Sequence, residues 1–328
     1  MTEIANAEAA CAPVEEVSPE SYEFIDYREV VSPGRCKSVP PLVKQAISGL
    51  TTLSELPGGS TAKYRTLPTV LLYDNAGLEL FDQITYLPEY YLTNCEIDVL
   101  RTNIQSIVTE IPDDSDVIEL GCGSLRKTQI LLDALDQQRT GITYYAIDVM
   151  PSPLHESMES LAPRFANISF VALCGTYDEV LMHFKKSTRR KTVLWLGSSI
   201  GNFSCNDAVD FLTGISDNAL VADDGIIIGM DKQKTPSVIM AAYHDAQGIT
   251  TKFKLNALSH ANKLFSTYAD SHGGTESAGQ EHGVFEVDKF CYTGEYDEET
   301  GCRRAFLEPC EDTLVRWPRE MADQVKEL

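Results

Sequence analysis

The sequence predicts an α/β fold in which a parallel β-sheet carries helices on both faces. Between residues 116 and 229, five short apolar segments alternate with amphipathic helical segments, as in a doubly wound sheet. The first of these segments runs directly into two closely spaced glycines, Gly121 and Gly123, a pattern typical of strand-to-helix turns that bind nucleotide cofactors. The chain has 328 residues, 43% of them hydrophobic, which is enough to bury a large core.

An acidic tail and three helices are predicted before the sheet. Residues 1 to 22 are rich in Glu, Ala, Pro and Ser, and we expect a disordered acidic tail there, with structure beginning near Phe24. Apolar residues then recur three and four positions apart, which predicts helices at Pro41–Ser48, Gly77–Ile84 and Asn94–Thr109.

The sheet and its covering helices follow. The predicted strands are Asp116–Leu120, Thr143–Asp148, Ile168–Leu173, Thr192–Leu196 and Gly225–Gly229. The helices between them are predicted at Lys127–Gln137, Pro153–Leu161, Tyr177–Phe184 and Asn206–Ile215.

The alternation stops after Asp231. A helix is predicted at Thr235–Asp245, followed by a polar stretch that contains Asn256 and Asn262 and by a flexible insertion at 271–277. Residues 290–296 and 302–307 flank a loop with one glycine and predict a β-hairpin.

Charge and cysteine content exclude several classes of partner. A formal net charge of −22 argues against nucleic acid and anionic membranes, because phosphate binding requires clustered Lys and Arg. The one basic run, at 185–191, is interpreted as a solvated loop. Nine scattered cysteines without a C-x-x-C pair predict neither a metal site nor disulfides. Without a basic, apolar leader or a long apolar run, we expect a monomeric cytoplasmic protein that acts on a small molecule.

The glycine turn distinguishes between cofactors. Glu119, Gly121 and Gly123 fit the E-x-G-x-G form typical of methyltransferases that bind S-adenosylmethionine, whereas a dinucleotide site has a third glycine at the position of Arg126. A helix beginning near Leu125 would point free N–H groups at the ligand. The alternative is a plain connection between a strand and a helix.

Polar residues follow the other strands, at the edge of the sheet where ligands bind. Asp148 is a candidate for the ribose hydroxyls of an adenosine, or else a helix cap. Thr176 and Tyr177 are candidates for the adenine edge. Asn202 can offer a donor and an acceptor to a substrate amine, or else stabilise its own turn, and Tyr90 is a ligand candidate or a packing residue.

Several segments resemble the histidine-specific methyltransferase family, and in particular the methyltransferase portion of fungal ergothioneine-biosynthesis enzymes. The resemblance covers about residues 24 to 308, and it is carried by the segments 71–77, 84–94, 196–203, 241–250, 254–256 and 292–299. It implies a Rossmann-like class I methyltransferase sheet with a smaller substrate-binding α+β domain. On this basis 111–231 would bind S-adenosylmethionine, and 23–110 and 232–309 would form the substrate domain.

The resemblance also implies an activity, the transfer of three methyl groups from S-adenosylmethionine to the α-amino group of L-histidine, which gives hercynine. Tyr90 and Asn202 match the pair that holds the substrate amine, and Tyr243 matches a tyrosine that binds the carboxylate. The positions that match cofactor-binding residues are Tyr73, Gly121, Gly123, Lys127 and Asp148.

Two departures from the family pattern leave alternatives open. Arg304 aligns with a glutamate that contacts the imidazole in bacterial relatives, and a cation cannot accept an imidazole N–H. An aromatic amino acid, such as tryptophan or dimethylallyltryptophan, is therefore the alternative substrate. Residues 310–328 do not resemble the last strands and helix of the family, so a truncated, non-catalytic paralogue that binds cofactor is the other alternative.

Overall fold

The computed structural model describes residues 21–27, 40–55, 63–123, 125–271 and 283–313. Residues 1–20 of the predicted acidic tail, most of the predicted flexible insertion and the residues after 313 lie outside these ranges. Ten strands are described: β1 (Glu23–Asp26), β2 (Ser54–Glu55), β3 (Lys63–Tyr64), β4 (Ser115–Leu120), β5 (Ile142–Asp148), β6 (Ile168–Cys174), β7 (Arg190–Trp195), β8 (Gly225–Ile228), β9 (Phe290–Asp297) and β10 (Cys302–Pro309).

The described α-helices number nine: α1 (Pro41–Thr51), α2 (Asn75–Thr85), α3 (Tyr91–Thr109), α4 (Thr128–Gln138), α5 (Pro151–Leu161), α6 (Tyr177–Phe184), α7 (Cys205–Ala219), α8 (Pro236–Ala242) and α9 (Ile249–Ser271). Short 3₁₀ turns lie at Thr69–Leu72, Ala162–Arg164, Ser199–Asn202 and Val287–Lys289. Within the described ranges, no helix has both the length and the apolar character needed to cross a bilayer.

Six strands form one parallel sheet in the order β1-β6-β5-β4-β7-β8. The α/β prediction is confirmed, and all five predicted strands are present. The sixth, β1, was not predicted as a strand because four residues are too few to show a period. From β4 the chain moves outward through β5 and β6 and then returns to the other side of β4 with β7. The carboxyl ends of β4, β5 and β7 therefore surround the position where ligands bind in such sheets.

Helices cover both faces of the sheet, as predicted. On one face α3, α4 and α5 pack buried side chains such as Leu100, Leu132 and Met158 against the central strands. On the other face α6 and α7 do the same with residues such as Phe184 and Ile215. Apolar residues on both faces explain the nearly continuous hydrophobic runs of these strands.

A third core lies away from the sheet and joins residues from both ends of the described chain. Buried residues of α1, of the 3₁₀ turn before Tyr73 and of α9 form this core, including Ile47, Leu71 and Phe265. The substrate domain and its boundaries stay a prediction. The predicted hairpin is also present, with Cys302 opposite Asp297 in the register of β9 and β10.

The prediction of a polar stretch around Asn256 and Asn262 was wrong, because both residues lie in the 23-residue helix α9. The buried face of α9 includes Phe253, Ala257 and Ala261, spaced four apart. Small alanines and interspersed polar residues weaken the apolar signal of this face, so the helical period is hard to recognise in the sequence.

Candidate active site

The glycine turn follows β4 with a backbone conformation that only glycine adopts easily. Gly121 has φ +71° and Gly123 has φ +43°. A Cβ atom on Gly121 would lie 3.0 Å from the hydroxyl oxygen of Tyr177, so the turn passes close to that phenol. Helix α4 begins at Thr128, three residues later than the predicted start near Leu125.

Asp148 ends the neighbouring strand β5 and faces the same turn. Burial raises the pKa of its carboxyl group, while N–H groups of Gly123, Val149 and Met150 lower it. The N–H of Met150 donates to Asp148 over 3.2 Å, and Met150 itself occupies the N-cap of α5. Asp148 is thus not the helix cap, and its carboxylate lies between the glycine turn and Tyr177, whose pKa it raises.

Thr176 and Tyr177 follow β6 and have different surroundings. Thr176 caps α6, and its hydroxyl and backbone N–H both donate to Glu179 over 2.8 Å. Burial raises the pKa of the Tyr177 phenol, which therefore stays protonated beside Gly121. Capping explains the residue type at Thr176, whereas Tyr177 is in contact with the turn itself.

Lys127 binds Glu96 of α3, with Nζ 2.6 Å from Oε2. Glu96 also accepts the N–H of Gly197 over 2.8 Å, so it joins α3 and α4 to the end of β7. A Cβ atom on Gly229 would lie 1.9 Å from Oε1 of Glu96, so a larger residue after β8 would displace this carboxylate. The sequence did not single out Glu96, because one acid on an amphipathic helix carries no signal of its own.

Glu119 is the acid of the E-x-G-x-G pattern and lies inside the protein. Its carboxylate accepts hydrogen bonds from the hydroxyls of Thr128, over 2.7 Å, and Tyr144, over 2.5 Å. Burial raises the pKa of Glu119 to about 7, although both hydroxyls oppose the rise. The residue holds α4 and β5 around the turn rather than lining an open site.

A cluster of aromatic side chains lies on the opposite side of the turn. Tyr90 contacts Tyr243 edge to face, with ring centroids 5.9 Å apart, and Phe81 lies 6.2 Å from Tyr90. Tyr73 contacts Phe81 and Phe253 with centroids 5.9 and 5.6 Å away. Three of the predicted site residues, Tyr73, Tyr90 and Tyr243, therefore lie together. We call the five side chains, Tyr73, Phe81, Tyr90, Tyr243 and Phe253, the aromatic cluster.

Tyr73 connects this cluster to the glycine turn. Burial raises its pKa to about 12, and the charge of Tyr243 adds to the rise. Tyr73 in turn raises the pKa of Tyr177, the phenol beside Gly121. Next to it, Asp74 caps α2 and accepts a hydrogen bond from Asn256 of α9 over 2.6 Å. This bond fixes the segment that carries Tyr73.

The hairpin places an arginine on the aromatic cluster, but one residue earlier than predicted. The guanidinium of Arg303 lies 4.7 Å from the ring centroid of Tyr243 and donates to the hydroxyl of Tyr292. Arg304 instead binds Asp297, with Nη2 2.9 Å from Oδ2. Neighbouring residues of a strand point to opposite faces, so a shift of one position exchanges the two side chains.

Asn202 ends the 3₁₀ turn after β7, at the edge of the sheet that carries the other candidate residues. It is exposed, and its side chain makes no hydrogen bond within the described residues. Nearby Ser198 has φ +57°, an unfavourable conformation for a residue with a Cβ atom, and its hydroxyl accepts the N–H of Asp231 over 2.9 Å. The conformation and hydrogen bond of Ser198 therefore help to shape the turn that ends at Asn202.

The residues around the turn fit S-adenosylmethionine better than a dinucleotide. The close approach at Gly121 and the carboxylate of Asp148 suit an adenosine, whose ribose hydroxyls need an acceptor. Lys127 is paired with Glu96, so its ammonium is not available to neutralise a pyrophosphate. The carboxylate of Asp148 beside the turn forms no ion pair with a described residue, and its negative charge would favour a positively charged sulfonium group.

Fold and site together define a class: the chain is a Rossmann-like α/β protein of the methyltransferase type. Comparison with known families is more specific. Residues 43–327 match the model of the family described as "Histidine-specific methyltransferase, SAM-dependent". The chain belongs to this family. The match includes residues 310–327, which the sequence alone set apart as atypical.

Curated relatives carry names from two branches of the family. Ergothioneine biosynthesis protein 1 of Neurospora crassa is 40% identical over 76% of this chain and 27% of its own length. A 4-dimethylallyltryptophan N-methyltransferase of Epichloe festucae var. lolii is 34% identical over 75% of this chain and 72% of its own. Histidine N-alpha-methyltransferase of Mycolicibacterium smegmatis is 34% identical over 66% of each. The chain thus spans only about a quarter of the first relative.

Proposed function

We propose that the chain transfers methyl groups from S-adenosylmethionine to the α-amino group of an amino acid, with L-histidine as substrate and hercynine as product. The observation that carries the proposal is that Tyr73, Tyr90 and Tyr243 lie together in the aromatic cluster, with Tyr73 and Tyr90 both against Phe81 and Tyr90 against Tyr243. Tyr73 also adds to the rise that burial causes in the pKa of Tyr177 at the glycine turn. A methyl donor at the turn and an amine at the cluster would then be adjacent. Names of relatives that include histidine N-methylation support the choice of substrate.

The cofactor side of the proposed site is built by the sheet. Backbone groups of Gly121 and Gly123 would approach the cofactor, Asp148 would accept the ribose hydroxyls, and Tyr177 with Thr176 would border the adenine. Bound S-adenosylmethionine supplies an electrophilic methyl group on a sulfonium. Lys127 acts in this scheme as a positioning residue, because its ammonium holds Glu96.

The substrate side must present a neutral amine, because an ammonium has no lone pair to attack a methyl group. Burial and the charge of Tyr243 raise the pKa of Tyr90 far above its ordinary range, so its phenol keeps its proton and adds no charge. A neutral phenol can donate or accept one hydrogen bond, and Asn202 offers a carbonyl oxygen from the end of β7. Together they would hold the lone pair in line, at about 3 to 3.5 Å from the methyl carbon.

The test is methyl transfer from labelled S-adenosylmethionine to a panel of amino acids. We expect label on histidine, and we expect Tyr90→Phe and Asn202→Ala each to lower kcat by about tenfold to a thousandfold, as when groups that position a reactant are lost. Tyr86→Phe is the matched control, because Tyr86 is 61% exposed. Tight binding of S-adenosylhomocysteine without label on any amino acid would favour the non-catalytic alternative.

A second candidate is methylation of a tryptophan-type amino acid. The observation that favours it is the share of the relative that is matched. The alignment with this chain covers 72% and 71% of the lengths of two 4-dimethylallyltryptophan N-methyltransferases. Phe81 and Phe253 also give the aromatic cluster flat apolar walls that an indole could contact. Label on tryptophan or dimethylallyltryptophan but not on histidine would establish this candidate and overturn the first.

A further inference from the structure

Two cationic side chains lie against rings of the aromatic cluster without a carboxylate partner among the described residues. Lys254 lies on α9, with its ammonium 5.3 Å from the ring centroid of Phe253, and it forms no hydrogen bond or ion pair with any described residue. Arg303 lies on β10 over the ring of Tyr243, and its Nε is buried without a hydrogen-bond acceptor. Both side chains therefore have donors that the described residues leave unused.

The absence of an acid here contrasts with the rest of the described chain. With 49 acidic and 27 basic residues in all, carboxylates are abundant, and most partly or fully buried cations elsewhere in the described ranges have them as partners. Examples are Lys127 with Glu96, Lys191 with Asp224 and Arg189 with Asp116. Arg126, which binds Thr85 and stacks on Tyr86, is an exception. Burying charge without a partner is costly, so two unpaired cations in one place indicate a missing anion.

The two charges are close enough to affect each other. Burial lowers the pKa of Lys254 to about 8, and the positive charge of Arg303 adds to this effect. Nearby carboxylates already have other partners. Asp245 accepts the N–H groups of Ile249 and Thr250, and Asp74 binds Asn256 and Lys263. Asp231 binds the hydroxyl of Tyr91 and the ammonium of Lys234.

We propose that Lys254 and Arg303 form an anion subsite that binds a carboxylate of the amino-acid substrate. This inference rests on the proposed function and adds to it two residues that determine substrate selection. A guanidinium and an ammonium both bind carboxylates by charge-assisted hydrogen bonds. An amine-binding or carboxylate-binding role for the tyrosines alone would leave both cations unexplained.

The geometry favours the α-carboxylate over one on a side chain. Arg303 covers the ring of Tyr243, which is in edge contact with Tyr90 at 5.9 Å between centroids. Tyr90 is the residue proposed to hold the α-amine. One carbon separates the amine from the carboxylate in an α-amino acid, so the groups that bind them must be neighbours, as these are.

The experiment compares an acid with its amide in the full chain. For the wild type we expect kcat/KM to be at least about tenfold higher for histidine than for histidinamide. Lys254→Met should lower kcat/KM for histidine by about tenfold to a hundredfold, the loss expected for a charge-assisted hydrogen bond, and leave histidinamide nearly unchanged. Lys254→Arg should restore most of the preference. Lys252→Met, at an exposed position of α9, is the matched control.

Two outcomes would overturn the subsite: equal losses for acid and amide in Lys254→Met, or no loss for either. Arg303→Lys gives an independent second variant that keeps the charge but not the planar fork, and it should weaken histidine binding more than histidinamide binding.

Failure of the proposed function would be recognised separately. If no amino acid is methylated, calorimetry on the chain loaded with S-adenosylhomocysteine measures binding of histidine and histidinamide directly. Binding of the acid alone, with loss of that binding in Lys254→Met, would support the subsite without the activity. Equal binding of both ligands would refute the subsite whether or not the chain has activity.

Discussion

Replacement of Glu119 by Gln tests whether the buried acid below the glycine turn destabilises the protein at neutral pH. The carboxylate is 2% exposed, and its only partners among the described residues are the hydroxyls of Thr128 and Tyr144. Gln keeps the shape, and its oxygen can accept the Tyr144 hydroxyl while its NH₂ donates to the Thr128 oxygen. The substitution therefore removes the charge and retains both contacts.

The magnitude follows from the pKa of Glu119, which burial raises from 4.5 to about 7. The folded state holds a proton that the unfolded state releases between these values, so the free energy of unfolding falls as pH rises from about 4.5 to about 7. At about 1.4 kcal/mol per pH unit, the full effect is about 3 kcal/mol. The free energy of unfolding of the Gln variant does not fall in this way. The difference in this free energy between the Gln variant and the wild type should therefore grow by about 2 to 3 kcal/mol between about pH 5 and about pH 8, in favour of the variant.

The assay is urea unfolding of both proteins at several pH values across this range, followed by circular dichroism. Glu159→Gln, which removes an exposed carboxylate on α5, is the control and should show no such trend. A stability difference between wild type and Glu119→Gln that stays constant with pH would refute the reasoning. It would mean that the hydroxyls of Thr128 and Tyr144 compensate the carboxylate fully.

Three further predictions concern the turn, its support and the anion subsite. Gly121→Ala should lower the free energy of unfolding by about 1 to 2 kcal/mol and weaken S-adenosylhomocysteine binding. The reasons are that φ is +71° at this residue and that the new Cβ atom would lie 3.0 Å from the Tyr177 oxygen. Unchanged binding in calorimetry together with unchanged thermal unfolding would contradict this prediction. Lys127→Met should lower the free energy of unfolding, measured with urea, by about 1 to 3 kcal/mol, because it leaves Glu96, which is 15% exposed, without its cation. A smaller loss of stability than in a variant of an exposed lysine would exclude the role of Lys127 in holding Glu96. The pKa of Lys254 is about 8, so its charged form is lost as pH rises through that value, and KM for histidine should increase above about pH 8. Lys254→Arg should remove this increase in KM. An increase that persists in this variant would contradict the role of Lys254 in the anion subsite.

Local sequence patterns were sufficient to predict the sheet and to place Gly121, Gly123 and Asp148 together at one of its edges. Each central strand is a short apolar run between turn residues, and strands buried on both faces read that way. Gly121, Gly123 and Asp148 stand directly after strands, where parallel topology brings them to one edge. Position along the chain was therefore enough to predict that these residues meet.

The substrate side could be predicted only through resemblance, because its contacts join distant parts of the chain. Tyr90 meets Tyr243 across more than one hundred and fifty positions, and neither residue has a local motif. Arg303 and Arg304 are adjacent, and only the strand register decides which one reaches Tyr243. The pairing of Lys127 with Glu96 was missed for the same reason, since it depends on how α3 packs on α4.

The position of β1 has a consequence for how the chain folds. Glu23 pairs with Val171, so the first described strand finds its partner 148 positions later, the difference between 171 and 23. During synthesis β1 must wait until β4, β5 and β6 exist, because only then is there an edge to join. Contacts this distant in sequence form late and slowly. The edge of β6 therefore stays uncovered until β1 returns to it, and the family match, which begins at residue 43, does not include the strand that covers this edge.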